Sequence, residues 1–127
     1  MFIGILRYGR DAADRLDGVE PSRFARALPQ ELRRNIGQAL YTAQQGSTDP
    51  AAKPLKGFGG MRVMEIVERH RSGTYRAVYT AQFEDALYVL HVFQKKSKQG
   101  IATPKHDIAL IRSRLAEAER HHKERRN

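Results

Sequence analysis

Thr74-Tyr75-Arg76-Ala77-Val78-Tyr79-Thr80 and Ala86-Leu87-Tyr88-Val89-Leu90-His91-Val92-Phe93 decide the fold. Both runs are rich in β-branched and aromatic residues, which suit a pleated surface. A third run of this kind, Met61 to Glu68, precedes them. The connectors Arg71-Ser72-Gly73 and Phe83-Glu84-Asp85 are short and polar. Parallel neighbours need long crossovers, so two short connectors predict an antiparallel meander. The run 86–93 is apolar on both faces apart from His91, as expected of a strand in the middle of a sheet.

Helices flank the meander. Leu32, Ile36, Ala39, Leu40 and Ala43 recur mostly at spacings of three and four, which draws one apolar stripe down a helix. Pro29 suits its first position, Gly46 is a natural stop, and Arg33 and Arg34 fall on the wet side. Residues 46–60 hold four Gly and two Pro and read as loop. Downstream, Thr103 caps a last helix, Pro104 fits its first turn and Asp107 suits its dipole. Ile108, Ile111, Leu115 and Ala118 carry its apolar stripe, and the charged residues 119–127 are expected to fray. Towards the start, Phe2 to Leu6 could form a first strand, residues 1–20 are poorly defined, and Ser22 could cap a short helix through Leu28. The expectation is one α/β (α+β) domain over 1–127, with N-terminal helices and a C-terminal helix on a twisted, mainly antiparallel sheet. The helices are expected on one face, leaving the other partly open to a ligand.

The chain has 127 residues, no cysteine, a formal charge of +9 and a pI near 10.3. Lacking cysteine, it has no disulfide, thiolate metal site or cysteine nucleophile. Phe2 to Leu6 is too short for a signal-peptide core or a membrane span, which predicts a soluble cytoplasmic protein. Residues 91–127 hold 10 basic and 4 acidic side chains, so most of the excess lies in the last third. Such clustering is the electrostatic footprint of a nucleic-acid partner; the plainer reading is a solvated basic helix.

Gly57-Phe58-Gly59-Gly60 lacks a following Lys-Ser or Lys-Thr, so it is no phosphate loop. His70, His91, His106, His121 and His122 lack the spacing of a zinc site, and no metal is expected. His121 and His122 are expected in solvent, and His91 as a satisfied core histidine. Arg76 stands mid-strand, where a buried guanidinium needs an anion. That anion is either a ligand phosphate or a structural carboxylate such as Glu65. Lys95, Lys96 and Lys98 crowd like charges, which lowers lysine pKa values and suits proton transfer; the plainer reading is a solvated charge run. Lys105 and His106 open the last helix, where anions are favoured.

Lys53-Pro54-Leu55-Lys56-Gly57-Phe58-Gly59-Gly60, Glu65-Ile66, Thr74 to Tyr79, Tyr88 to Lys98 and Ile101 to Ile108 together resemble the phage-derived HigB-type branch of the RelE/ParE toxin superfamily. Leu28 to Gly46 resembles the helix before them, so the likeness spans residues 24–118. It implies a RelE-like fold and the toxin of a type II toxin–antitoxin pair. Such a toxin is a ribosome-dependent mRNA endoribonuclease, cutting without metal or cofactor through attack of the 2′-OH on the neighbouring phosphorus. By resemblance, Arg76 holds the scissile phosphate with Lys95 and Lys96, and Lys98, Lys105 and His106 are candidates for proton transfer. Phe93 would stack on a base, and Lys53 and Lys56 would contact RNA backbone. The implied partners are a cognate helix-turn-helix antitoxin, the ribosome and mRNA, with no membrane and no small-molecule substrate. RelE carries lysines on the strand before its Tyr-Arg strand, where this chain has Glu65 and Glu68. The alternatives are a ParE-like gyrase inhibitor without nuclease activity, or a degenerate toxin that keeps only antitoxin or RNA binding.

Overall fold

The computed structural model describes residues 4–7, 28–83, 86–95 and 103–126. Its elements are β1 (Gly4–Arg7), α1 (Gln30–Gln44), β2 (Ala52–Pro54), β3 (Val63–His70), β4 (Gly73–Thr80), β5 (Ala86–Lys95) and α2 (Lys105–Arg126). The strands form one sheet in the order β1-β5-β4-β3-β2, with every neighbour antiparallel. The expected meander is β3-β4-β5, and β1 gives the sheet its outer strand next to β5. The fold is α+β, as the sequence predicts. Of the predicted first strand, residues 2 and 3 lie outside the described residues, as does the short helix from Ser22.

The α1 stripe is the predicted one: Leu32, Ile36, Ala39, Leu40 and Ala43 are all buried. Pro29 sits one position earlier than expected, as the N-cap, and Gly46 follows the helix end with φ +87°. The β3–β4 hairpin closes with His70 opposite Gly73. Gly73 takes φ +138° against the Gln94 side chain, so a side chain there would be strained and would meet that amide. Two short stretches differ from the sequence reading. Ala52–Pro54 is a strand inside the predicted loop, three residues laid against Met64–Ile66. Helix α2 runs to Arg126, past the point where fraying is expected.

The expectation of an open sheet face needs correction. Helix α1 packs with Ile66, Tyr75, Ala77, Tyr79, Leu87 and Val89. Val63, Val78, Tyr88 and Leu90 belong instead to a second core with Ile111, Leu115 and Ala118 of α2. Since alternate residues of a strand face opposite ways, the helices cover opposite faces. His121 and His122 explain why the end of α2 holds. The His122 ring is buried and stacks on Phe83, centroids 4.1 Å apart, and His121 Nδ1 is 2.8 Å from the Tyr88 hydroxyl. Both were expected in solvent, yet Ile111, Leu115, Ala118 and His122 continue one stripe at spacings of four, three and four.

An irregularity in the β4–β5 ladder matters for the site. Val78 pairs with His91, but Tyr79 pairs with Val89, so Leu90 is an extra residue. Such a bulge turns two consecutive side chains towards one side. Leu90 joins the α2 core, and His91 bonds to α2 as well.

Candidate functional site

The α2 face is apolar under the middle of α2 and charged beyond it. Register explains the charged end. Glu65 lies opposite Val78, Val67 opposite Arg76, Arg76 opposite Phe93 and Thr74 opposite Lys95. Glu65, Arg76, Phe93 and Lys95 therefore share one face. Arg76 Nη1 donates to Glu65 Oε2 at 2.7 Å, with side-chain exposures of 5% and 3%. Thr103, just before α2, donates its hydroxyl to the same oxygen at 3.0 Å. Arg76 thus meets the structural carboxylate that the sequence offered as one of its two anions. A charge this deep needs such a partner, and removing one member would strand the other.

Lys95 is the last residue of β5 and only 8% exposed. Desolvation and the nearby Arg76 guanidinium hold its ammonium below the ordinary lysine value, against the opposing pull of Glu65. Lys95 itself is thus buried, unlike a residue of a solvated charge run. Lys96 and Lys98 lie outside the described residues.

Beside this cluster opens a cleft of about 370 Å³. Its walls are Pro54, Leu55 and Ile108, its floor Glu65 and Thr103, and its rim the exposed Lys53 and Lys56. Strand β2 places this rim: Lys53 sits directly opposite Glu65 in the ladder. Lys105 and His106 are exposed at the start of α2, and Phe93 is half-buried next to Arg76 in register. Glu68, the other carboxylate of β3, belongs to the α1 face with Tyr75. Burial, with Asp49 and Glu31 nearby, raises its pKa, while a hydrogen bond from Asn35 opposes the rise.

A second polar cluster adjoins the first. His91 Nε2 lies 2.8 Å from Asp107 Oδ1, and Arg114 Nη1 lies 3.0 Å from Nδ1. Arginine only donates, so Nδ1 accepts; the ring is neutral, and Nε2–H donates to Asp107. Burial, aided by Arg114 and His106, pushes the His91 pKa below its ordinary value although Asp107 pulls it up. Phe93 stacks on the imidazole at 4.5 Å. His91 is a satisfied core histidine, as the sequence suggests, and it pins α2 to β5.

Of the residues that the sequence singles out, Arg76, Lys95 and Lys53 lie on one face of the sheet, and Lys53 and Lys56 line the cleft. Sequence reasoning missed Thr103 and left Glu65 as a contrast with RelE and one possible partner of Arg76. The signal for Thr103 was its capping position, read there only as helix chemistry. Among the described residues no cluster of three His, Asp or Glu is placed to hold a metal ion. No helix among the described residues is long and apolar enough to cross a membrane.

The sheet and the two helices among the described residues form the α+β fold of RelE-like toxins. Residues 23–116 match the family model described as Phage derived protein Gp49-like (DUF891), and the chain belongs to that family, a member of the RelE/ParE-like toxin families. Comparison with curated proteins and with solved structures returns no significant match.

Proposed function

We propose that this protein is the toxin of a type II toxin–antitoxin pair, of the HigB-type branch, and that it cuts mRNA on the ribosome. The observation that carries the reading is Arg76 beside Lys95 on one sheet face, next to a cleft rimmed by lysines. The reaction needs a proton taken from the 2′-OH, charge stabilised on the phosphorane and a proton given to the 5′-oxygen as it leaves. Arg76 and Lys95 supply the positive charge. A lysine held below its ordinary pKa lies nearer the range in which it exchanges protons at neutral pH. Lys96, Lys98 and His106 are the other proposed proton carriers, with Lys96 also on the phosphate. Lys53, Lys56 and Lys105 meet RNA backbone, and Phe93 meets a base. The proposed partners are a helix-turn-helix antitoxin, the ribosome and mRNA.

The test is primer extension on a reporter mRNA in a purified translation system. Arg76→Ala would confound chemistry with folding, because it strands Glu65. Lys95→Ala and Arg76→Lys are the better variants, each checked for an unchanged thermal midpoint. Ribosome-dependent cuts that fall at least tenfold in folded Lys95→Ala support the reading. No cuts from wild type on translating ribosomes would sink it. Gyrase inhibition by the same sample would then favour the ParE-like alternative.

A further inference from the structure

Three features of the cleft go beyond phosphate binding. Its walls, Pro54, Leu55 and Ile108, are apolar, which suits a ring better than an anion. Its volume of about 370 Å³ lies near the lower end of the roughly 300–1,000 Å³ of ligand pockets and fits one ring system. Its floor holds one acceptor of defined geometry. Arg76 and Thr103 both bond to Oε2 of Glu65, and among the described residues Oε1 accepts no hydrogen bond.

We propose that the cleft is a nucleobase subsite in which Glu65 Oε1 selects bases with an exocyclic amino group. Adenine, cytosine and guanine can each point an amino N–H at Oε1, with the ring between Ile108 and the Pro54–Leu55 edge. Uracil offers only N3–H, set between two carbonyl oxygens that the carboxylate repels. Single-stranded RNA is read this way, by splayed bases bonded on their edges. Lys53 and Lys56 at the rim then face the flanking phosphates. A carboxylate at the floor would work against a purely phosphate-holding cleft, but it serves a base reader. Arg76 and Thr103 act here as positioning residues, since they fix the carboxylate plane through Oε2. The proposal rests on the RNA-binding half of the function above, not on cleavage.

The experiment titrates the intact protein with AMP, CMP, GMP and UMP, followed by the backbone amide shifts of Lys53, Leu55, Lys56 and Thr103. All four share the ribose phosphate, so differences isolate the base. AMP, CMP and GMP are expected to bind at least tenfold more tightly than UMP. Glu65→Gln keeps an acceptor for Arg76 but brings an amide N–H that uracil can accept from, so the gap should shrink below about threefold. Ile108→Trp leaves the ion pair alone and fills the cleft, and should abolish the shifts for all four. If Glu65→Gln does not fold, the wild-type ranking and Ile108→Trp decide. Equal affinity for UMP, or shifts confined to other residues, overturns the proposal. Base-selective binding without mRNA cleavage would sink the nuclease reading alone, whereas cleavage without selective binding would sink the base subsite alone.

Discussion

The two faces of the sheet are built on different principles. Towards α1, Leu32, Ile36 and Leu40 meet Ile66, Tyr75, Ala77 and Tyr79 in a largely apolar layer. Towards α2, a similar apolar layer covers only part of the sheet, and beyond it lie Glu65, Arg76, His91 and Lys95, all buried. Apolar packing tolerates approximate fit, while each buried charge demands a partner of correct sign and placement. One face therefore holds the fold, and the other carries a structural cost that a binding or catalytic role would explain.

The difference can be broken most severely at Arg76. Arg76→Ala should cost about 3–5 kcal/mol by leaving Glu65 buried without its cation. The double variant Glu65→Met/Arg76→Met should recover most of that loss in urea unfolding while lacking cleavage. A double variant as unstable as the single one would show that packing, not charge, is the damage. On the α1 face, Ile36→Ala should cost about 2–5 kcal/mol through lost burial and a cavity. Nucleotide affinity per folded molecule should not change, and a changed affinity would mean that the faces communicate.

A smaller effect separates the faces by pH. His91 has its folded pKa below the ordinary 6.5, so the unfolded chain takes up the proton first. Stability should be constant above about 6.5 and fall as the pH drops towards the folded pKa. Protonation puts a hydrogen on Nδ1 facing Arg114, with only Asp107 favouring the charged form. Calorimetry of His91→Gln beside wild type should show the slope reduced in the variant. The smallest effect belongs to Arg112, whose guanidinium lies 4.6 Å from the Phe58 ring centre and donates to Gly57 O at 2.9 Å. Arg112→Ala should cost about 0.5–1 kcal/mol by thermal unfolding.

Regular elements were legible because their periodicity is local. The α1 stripe and the three long strands follow from spacing and short connectors. Strand β2 was hidden because three residues ending in Pro54, within a stretch punctuated by proline and glycine, show no alternation. His122 was hidden because a histidine within a charged tail resembles a solvated residue, although its position continued the stripe from Ile111. The site was half legible. Arg76 stood out as a charge where strands are apolar, but its union with Glu65 and Thr103 depends on residues 11 and 27 positions away. No short-range pattern encodes which anion a guanidinium finds. The placement of α2 on the opposite face was equally invisible, since an amphipathic stripe does not say which side of a sheet it will cover.

The extra residue in β5 makes that strand two reading frames joined at Leu90. Upstream of it, Leu87 and Val89 serve the α1 core. Downstream, His91, Phe93 and Lys95 serve the α2 face. A one-codon deletion at Leu90 would keep the composition almost intact and put the halves in register. Every remaining side chain would keep its face, because Val89 and His91 already point opposite ways, and the loss would be Leu90 itself from the α2 core. What the extra residue adds is one more apolar side chain under α2, directly beside the histidine that bonds to that helix.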